Sequence, residues 1–578
     1  MSILLSVRDL HVGFGRDPKA NEVVRGVSFD IEAGHTLAIV GESGSGKSVT
    51  ALSVNRLVDF GGGKITGGTI TLQREDGSLM DITAASERAL TRIRGGEIGM
   101  IFQEPMTSLN PIQSVGTQIA ESFRLHRGLT GQQAEAAAKD ALDRVRIPDA
   151  ARRLKYFPHQ LSGGMRQRVM IAIALAANPR LLIADEPTTA LDVTVQAQIM
   201  ALLGELRREM GMSMIFITHD VGLVAGIADT IMVMQNGVAV EQGALSAVLD
   251  HPQHDYTQHL LRAVPHFNAG KAVRTDAKTG GEPVVRVADL AVRFPVTGGM
   301  LRRPVGAVHA VDGVDFELRA GETLGIVGES GSGKSTTARA LLGLVSVARG
   351  SIEVHAPKAS KADRPMQMVF QDPFASRNPR LTVKNLLAEP ALAAGLRNDA
   401  MLETRMRALL ARVGLPDDAL SRYPHEFSGG QRQRLCIARA LMLNPDIVVL
   451  DEAVSALDVS VQAKVLDLLV DLQHEFGLAY LFISHDMAVV ERIAHRIAVM
   501  YAGQIVEIGD AASVLSNPRH SYTKRLIAAV PAVERRGQQF ALDTSEIPSL
   551  LRPVGFEPEP AAWIEAGPDH RVRAEVVS

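Results

Sequence analysis

Two lysines, Lys47 and Lys334, each sit near the end of the same glycine-rich octapeptide, GESGSGKS, at Gly41–Ser48 and again at Gly328–Ser335. Glycine reaches backbone angles that other residues avoid, so such a loop can curl until successive N–H groups converge on an anion. The run TLAIV (36–40) before the first copy reads as a strand, and VTALSVNRLV (49–58) after it reads as a helix. The loop therefore occupies a helix N-terminus, where the helix dipole adds positive potential. This is phosphate chemistry. Gly41, Glu42, Ser43, Gly44, Ser45 and Gly46 line the loop, Lys47 offers a point charge to the β- and γ-phosphates of a nucleotide, and the Ser48 hydroxyl can ligate Mg²⁺. Gly328, Glu329, Ser330, Gly331, Ser332, Gly333, Lys334 and Ser335 repeat the arrangement. One glycine-rich turn arises by chance; two in such context do not.

The apolar strand LLIAD (181–185) ends in an acid and is followed at once by Glu186. Asp185 and its counterpart Asp451 are expected to hold the metal, and Glu186 and Glu452 to act as general bases on water. His219 ends a further apolar strand, SMIFIT (213–218), 33 residues after Glu186, and His485 follows Glu452 by the same 33. Open α/β sheets bind ligands at strand C-termini, which puts these histidines beside a γ-phosphate. Gln103 and Gln371 follow IGMIF and MQMVF at similar strand ends, within reach of Mg²⁺ or water. Ser162-Gly163-Gly164 and Ser428-Gly429-Gly430 each precede RQR and an apolar helical run, which makes a second anion site per copy. A second site is useful if it completes the nucleotide site of the other copy, head to tail.

The elements that carry these groups are themselves duplicated. Ser162 and Ser428, Glu186 and Glu452, His219 and His485, and Tyr256 and Tyr522 are all 266 residues apart. Lys47 and Lys334 are 287 apart, and Gln103 and Gln371 are 268 apart, so the first copy carries about 19 extra residues before Gln103. That stretch includes GGGKITGG (61–68) and QREDGSLMD (73–81), which read as turns and a hairpin. The expected organisation is a first domain over 1–265, a polar linker over 266–283, a second domain over 284–532 and a proline-rich tail over 533–578. The tail is expected to be irregular and to carry no chemistry.

Composition excludes several classes. With 61 Lys plus Arg against 64 Asp plus Glu, the net charge of −3 supplies no basic field for nucleic acid. Cys436 is the one cysteine, so a disulfide scaffold, a zinc cage and an iron–sulfur cluster cannot be built within the chain. The N-terminus lacks a basic segment ahead of an apolar core, and no apolar run approaches the roughly 20 residues that span a bilayer. A soluble, cytoplasmic chain that reaches membrane only through partners is the expectation.

In this order over roughly residues 4–532, the motifs resemble a tandem ABC-transporter ATPase. The resemblance implies an α/β fold of two P-loop NTPase domains in tandem, each with a helical subdomain, followed by short C-terminal extensions. It implies that Gln103-Glu104-Pro105 and Gln371-Asp372-Pro373 are Q-loops, which receive the coupling helices of permeases. Ala190-Leu191-Asp192 and Ala456-Leu457-Asp458 match the D-loops, and Phe14 and Phe294 stand where an aromatic ring stacks on adenine. HPQHDYTQHLLRAVP (251–265) and NPRHSYTKRLIAAVP (517–531) resemble the C-terminal signature of di- and oligopeptide importer ATPases, and the fused arrangement resembles their glutathione-importing branch. That implies ATP and Mg²⁺, two transmembrane permease subunits with a solute-binding protein, and a peripheral place on the cytoplasmic face of the inner membrane. No nucleic-acid partner is implied. Two features depart from the pattern: Ala453 replaces the proline seen at Pro187, and the tail lacks the cysteines that hold an iron–sulfur cluster in some relatives. A soluble tandem ATPase acting on ribosomes or DNA is the alternative, disfavoured by the short linker and the missing zinc-binding cysteines.

Overall fold

The computed structural model describes residues 2–189, 191–263, 282–298, 303–355, 364–370, 380–397, 399–455, 457–530, 548–558 and 562–574. In the first half, Thr36–Val40, Leu181–Asp185 and Ser213–Thr218 are buried at every position. Strands that are apolar on both faces need cover on both sides, which a parallel sheet between layers provides. They form the centre of a six-stranded sheet ordered Val238–Ala244, Thr230–Gln235, Thr36–Val40, Ser213–Thr218, Leu181–Asp185 and Ile98–Ile101. All neighbours are parallel except the first pair. A separate antiparallel sheet, Glu22–Glu32, Ile3–Phe14, Gly63–Gln73 and Leu79–Asp81, covers the phosphate-loop helix. The helices Val115–Arg127, Gly131–Arg144 and Gly163–Leu175 pack around a core that includes Ile119, Phe123, Leu142, Val169 and Ile171, forming the helical subdomain.

The second half repeats this plan around Thr323–Val327, Ile447–Asp451 and Ala479–Ser484. Two readings of the sequence need correction. GGGKITGG was expected to turn, yet Gly63–Gln73 is one strand paired along Ile3–Phe14. Gly68 is there for close approach: its φ is 86°, and a Cβ would meet the Asp9 carbonyl oxygen at 2.3 Å. The expected hairpin does follow, with Thr71 opposite Asp81.

The tail is the larger correction. Leu551–Arg552 pairs with Val308 and Ala307, and the hairpin Trp563–Gly567 with His570–Arg573 extends the parallel sheet beyond Gln504–Asp510. Prolines 548, 553 and 558 punctuate the segment without forbidding short strands, because proline is tolerated beside sheet edges. The linker over 266–283 lies outside the described residues except for its last two, and Pro283 already begins the strand Pro283–Gly298.

Candidate active site

Both phosphate loops leave a buried strand and enter a helix at their lysine, Lys47–Val54 and Lys334–Leu341. Glycine is required at Gly41, whose φ is 152° and where a Cβ would lie 2.2 Å from the Met234 carbonyl oxygen. Lys47 Nζ donates to the Gly41 and Glu42 carbonyls, both at 2.8 Å, and Lys334 Nζ to those of Gly328 and Glu329 at 2.7 and 2.8 Å. Burial lowers both lysine pKa values, and the surrounding acids only partly offset it. An incoming phosphate would supply the anion these ammonium groups lack.

Ser48 Oγ donates to Asp185 Oδ1 at 2.9 Å, and Ser335 Oγ to Asp451 Oδ1 at the same 2.9 Å. Burial pushes the Asp185 carboxyl up to about 6; the Ser48 hydrogen bond opposes this, and the neighbouring Glu186 charge adds to it. Asp451 is raised for the same first reason. A desolvated carboxylate touching a hydroxyl is a hard-oxygen donor pair that fits Mg²⁺. Among the described residues no three acidic, histidine or cysteine side chains cluster as a metal cage, so phosphate and water would complete the coordination.

Glu186 is held on both oxygens. Gln103 Nε2 donates to Oε2 at 2.9 Å, Thr189 Oγ1 donates to Oε2 at 2.8 Å, and His219 Nδ1 lies 3.3 Å from Oε1. Burial alone would raise the Glu186 pKa, but the hydrogen bond and charge of His219, with Thr189 and Lys47, bring it down to about 2. His219 moves the opposite way: burial lowers it, the Glu186 bond overrides that, and its pKa ends above the usual value. In the second half His485 Nδ1 is 3.5 Å from Glu452 Oε1, with the same two directions. Glu186 and Glu452 both adopt left-handed backbone angles, φ 44° and 47°, a strained conformation for a side-chain-bearing residue. Ala453 is therefore compatible with the turn that Pro187 follows in the first half. Gln371 and the rest of its expected loop lie outside the described residues.

The halves meet through their D-loops. Asp458 Oδ1 accepts from Ser43 N at 3.1 Å and Ser43 Oγ at 2.7 Å, and Ser460 Oγ donates to Glu42. Reciprocally, Thr189, Leu191 and Asp192 line a cavity of about 910 Å³ with Ser330, Lys334, Ser335 and Glu452. A second cavity of about 250 Å³ lies between the halves, lined by Ser43, Gln103, Glu186 and His219 of the first and by Asp458 and His485 of the second. The SGG segments do start helices. Ser162 Oγ accepts from Met165 N, and Ser428 Oγ accepts from Gln431 N, both at 3.4 Å. Their glycines face their own half: a Cβ on Gly163 or Gly164 would meet Leu191 or Val195, and one on Gly429 or Gly430 would meet Leu457 or Val461. Among the described contacts, D-loops rather than SGG segments reach the opposite phosphate loop. Phe14 is partly buried against Gly63 and the core, whereas Phe294 is 43% exposed and lines the larger cavity.

One pair of residues was missed as part of the site. Tyr256 Oη accepts from Glu42 N at 3.1 Å, and Tyr522 Oη accepts from Glu329 N at 2.9 Å. The repeated Pro-x-His-x-Tyr-Thr signature marked both tyrosines without saying what they touch. His254 and His520 accept from the backbone N–H of Tyr256 and Tyr522, both at 3.1 Å, and Glu241 and Glu507 accept from His254 N and His520 N at 3.1 and 3.0 Å. The signature is thus a clamp under the phosphate loop.

The ABC transporter family model matches residues 24–189 and 311–455, more than half of the chain. The chain belongs to the ABC transporter family. A second family, the oligopeptide/dipeptide transporter C-terminal region, matches residues 240–289 and 506–555 of this ABC subunit. Among curated proteins it is 50% identical to the glutathione import ATP-binding protein GsiA of Pectobacterium atrosepticum, over 98% of this chain and 96% of that one. The protein of the same name from Salmonella typhimurium is 49% identical over the same shares. A solved archaeal ribosome recycling factor, in complex with a ribosomal stalk protein, aligns with a TM-score of 0.55 over 85% of this chain and 87% of its own. At 22% identity that likeness speaks to fold alone. ABC cassettes bind and hydrolyse ATP, and the chain is an ATPase of this kind.

Proposed function

We propose that this ABC subunit spends ATP to import peptides, either di- and oligopeptides or glutathione, through a binding-protein-dependent transporter. The observation that carries the reading is the contact of Tyr256 and Tyr522 with the phosphate loops: the mark of peptide transporters is built into the nucleotide sites. The near full-length similarity to glutathione import subunits supports the same cargo class. Two transmembrane permease subunits and a solute-binding protein complete the transporter, with this chain peripheral on the cytoplasmic face of the inner membrane. Among the described residues no helix is long and apolar enough to cross a membrane. The permeases dock at Gln103-Glu104-Pro105 and at Gln371-Asp372-Pro373. Gln103 is one hydrogen bond from Glu186, so movement at that dock reaches the acid directly.

Ser48, Asp185 and Gln103 would hold Mg²⁺ at one site, and Ser335, Asp451 and Gln371 at the other. Bound there, the ion would offset negative charge on the nucleotide phosphates. Lys47 and Lys334 turn from their loop carbonyls to phosphate, and the loop N–H groups carry the remaining charge. Glu186 and Glu452 are ionised at neutral pH and take the proton of the attacking water. Oε2 of Glu186 is already filled by Gln103 and Thr189, so the water takes the place of the Gln103 amide. His219 and His485 keep the other oxygen of each acid from rotating. Phe14 and Phe294 face the adenine, and the segments Ser162-Gly163-Gly164 and Ser428-Gly429-Gly430 close over the opposite phosphate when ATP draws the halves together.

The test is ATP turnover by the reconstituted complex, with its binding protein loaded by dipeptides, longer peptides or glutathione in turn. Stimulation by at least one of these is expected. Stimulation by ribosomes or DNA instead, with none by any peptide, would sink the proposal.

A further inference from the structure

We infer that residues 548–557 of the C-terminal extension form a wall of the second nucleotide site at its base end, and that Leu550 helps set how tightly, and for which purine, that site binds. This rests on the assignment of Phe294 to the base. Three strands stand in register there: Phe294 is opposite Val308, and Val308 is opposite Leu551. His309 N donates to the Leu550 carbonyl at 2.9 Å, which fixes Leu550 at the cavity. Half-buried Leu550 then lines the same space of about 910 Å³ as Phe294, Val308, Lys334 and Ser335. Lysine and serine mark the phosphate end of this cavity, and Phe294, Val308 and Leu550 supply an apolar end. A base needs such flat apolar contacts, and the volume is in the range of small-molecule sites.

The segment is tied down independently of any ligand. Glu557 pairs with Arg293 at 2.7 Å and with Arg349 at 3.2 Å. The Phe556 ring meets the buried His309 ring edge-on at 5.7 Å, and Arg552 lies over Phe556 at 4.9 Å. In the first half, Glu22–Glu32 occupies the corresponding edge and has Ile3–Phe14 as its one strand neighbour among the described residues. Phe14 there leans on Gly63 rather than on a tail. The wall belongs to one site of the two.

The experiment is titration of the full chain with methylanthraniloyl-labelled ATP and GTP, in a Lys47→Ala background that leaves the second site and in a Lys334→Ala background that leaves the first. Leu550→Ala should weaken ATP binding at the second site about 3- to 10-fold, as expected for losing part of a buried leucine contact, and should change its ATP/GTP ratio. The first site should not respond. Glu557→Gln, which loosens the wall without touching the cavity, should move the second site less and in the same direction. An unchanged affinity and purine ratio at the second site, or equal changes at both, overturns the inference; so does a loss of thermal stability alone. If Lys334→Ala added to Lys47→Ala leaves binding intact, the site assignment itself fails. If that pair abolishes binding while Leu550→Ala does nothing, only the wall fails.

Discussion

Val238–Ala244 in the first half and Gln504–Asp510 in the second occupy the same position in the same kind of sheet. No residue of the first strand is buried, whereas five consecutive residues of the second are, from Ile505 to Gly509. The difference is the tail hairpin laid along the second strand. It also changes one acid. Glu241 accepts from Gln253 N and His254 N at the surface. Glu507, fully buried, accepts from the matching Arg519 N and His520 N and additionally from His570 Nε2 at 2.8 Å. Two sheet edges that stand open among the described residues of the first half are therefore covered in the second, and an uncovered edge is a site where other chains can pair. A duplicated domain thus keeps its chemistry in both copies while one copy receives the extension.

The largest expected effect removes chemistry from both copies. Glu186→Gln with Glu452→Gln should cut turnover by about 10²–10⁴-fold, since the amide keeps the shape but takes no proton. ATP binding should persist, and loss of binding in parallel would mean these acids hold nucleotide rather than activate water. The single variants sharpen the comparison: equal losses mean the two sites work as a unit despite their different surroundings, and unequal losses rank them. A smaller effect separates the halves by stability. His570→Ala leaves buried Glu507 short of a donor and should cost about 1–3 kcal/mol in denaturant unfolding of the second half. The first-half transition should not move. If it does, the tail supports the whole chain and the contrast is wrong.

Smaller still are the tyrosine clamps. Tyr522→Phe takes the acceptor from buried Glu329 N–H and should speed hydrogen exchange there; Tyr256→Phe, at a less buried tyrosine, should do less at Glu42 because water can replace the hydroxyl. Exchange at Glu329 and Glu42 unchanged from the unmutated chain would contradict the clamp. Last, Glu186→Gln should lower the His219 pKa. Glu186 supplies the hydrogen bond and the first-ranked charge that outweigh burial, so without it the value should fall, with Asp220 and Asp458 left to oppose burial. Histidine NMR, with His219→Gln assigning the resonance, reads this shift; a value that stays raised would contradict the pairing.

What the sequence made legible was set by local rules. Apolar runs such as LLIAD must be buried strands, and a phosphate loop between strand and helix needs its glycines, so Lys47, Ser48, Asp185 and Glu186 could be brought together on paper. Long-range pairings were not legible. Tyr256 Oη meets Glu42 across 214 residues, and Asp458 meets Ser43 across 415. The tail strands are two to five residues long and hold their shape only against an existing edge, which no periodicity within the tail reveals. Phe14 and Phe294 read alike because both stand where the family resemblance puts an adenine-stacking ring; only packing distinguishes a ring on Gly63 from one open to a cavity.

The central claim is that each ATP site is shared between the halves. The direct measurement is disulfide trapping in a Cys436→Ser background. Ser43 and Asp458 belong to opposite halves and stand 2.7 Å apart at their oxygens, so Ser43→Cys with Asp458→Cys should cross-link within one chain under mild oxidation and shift its gel mobility. Ser43→Cys with Asp192→Cys, both in the first half, should not. Cross-linking of the same-half pair, with none of the opposite-half pair, would contradict the shared-site account.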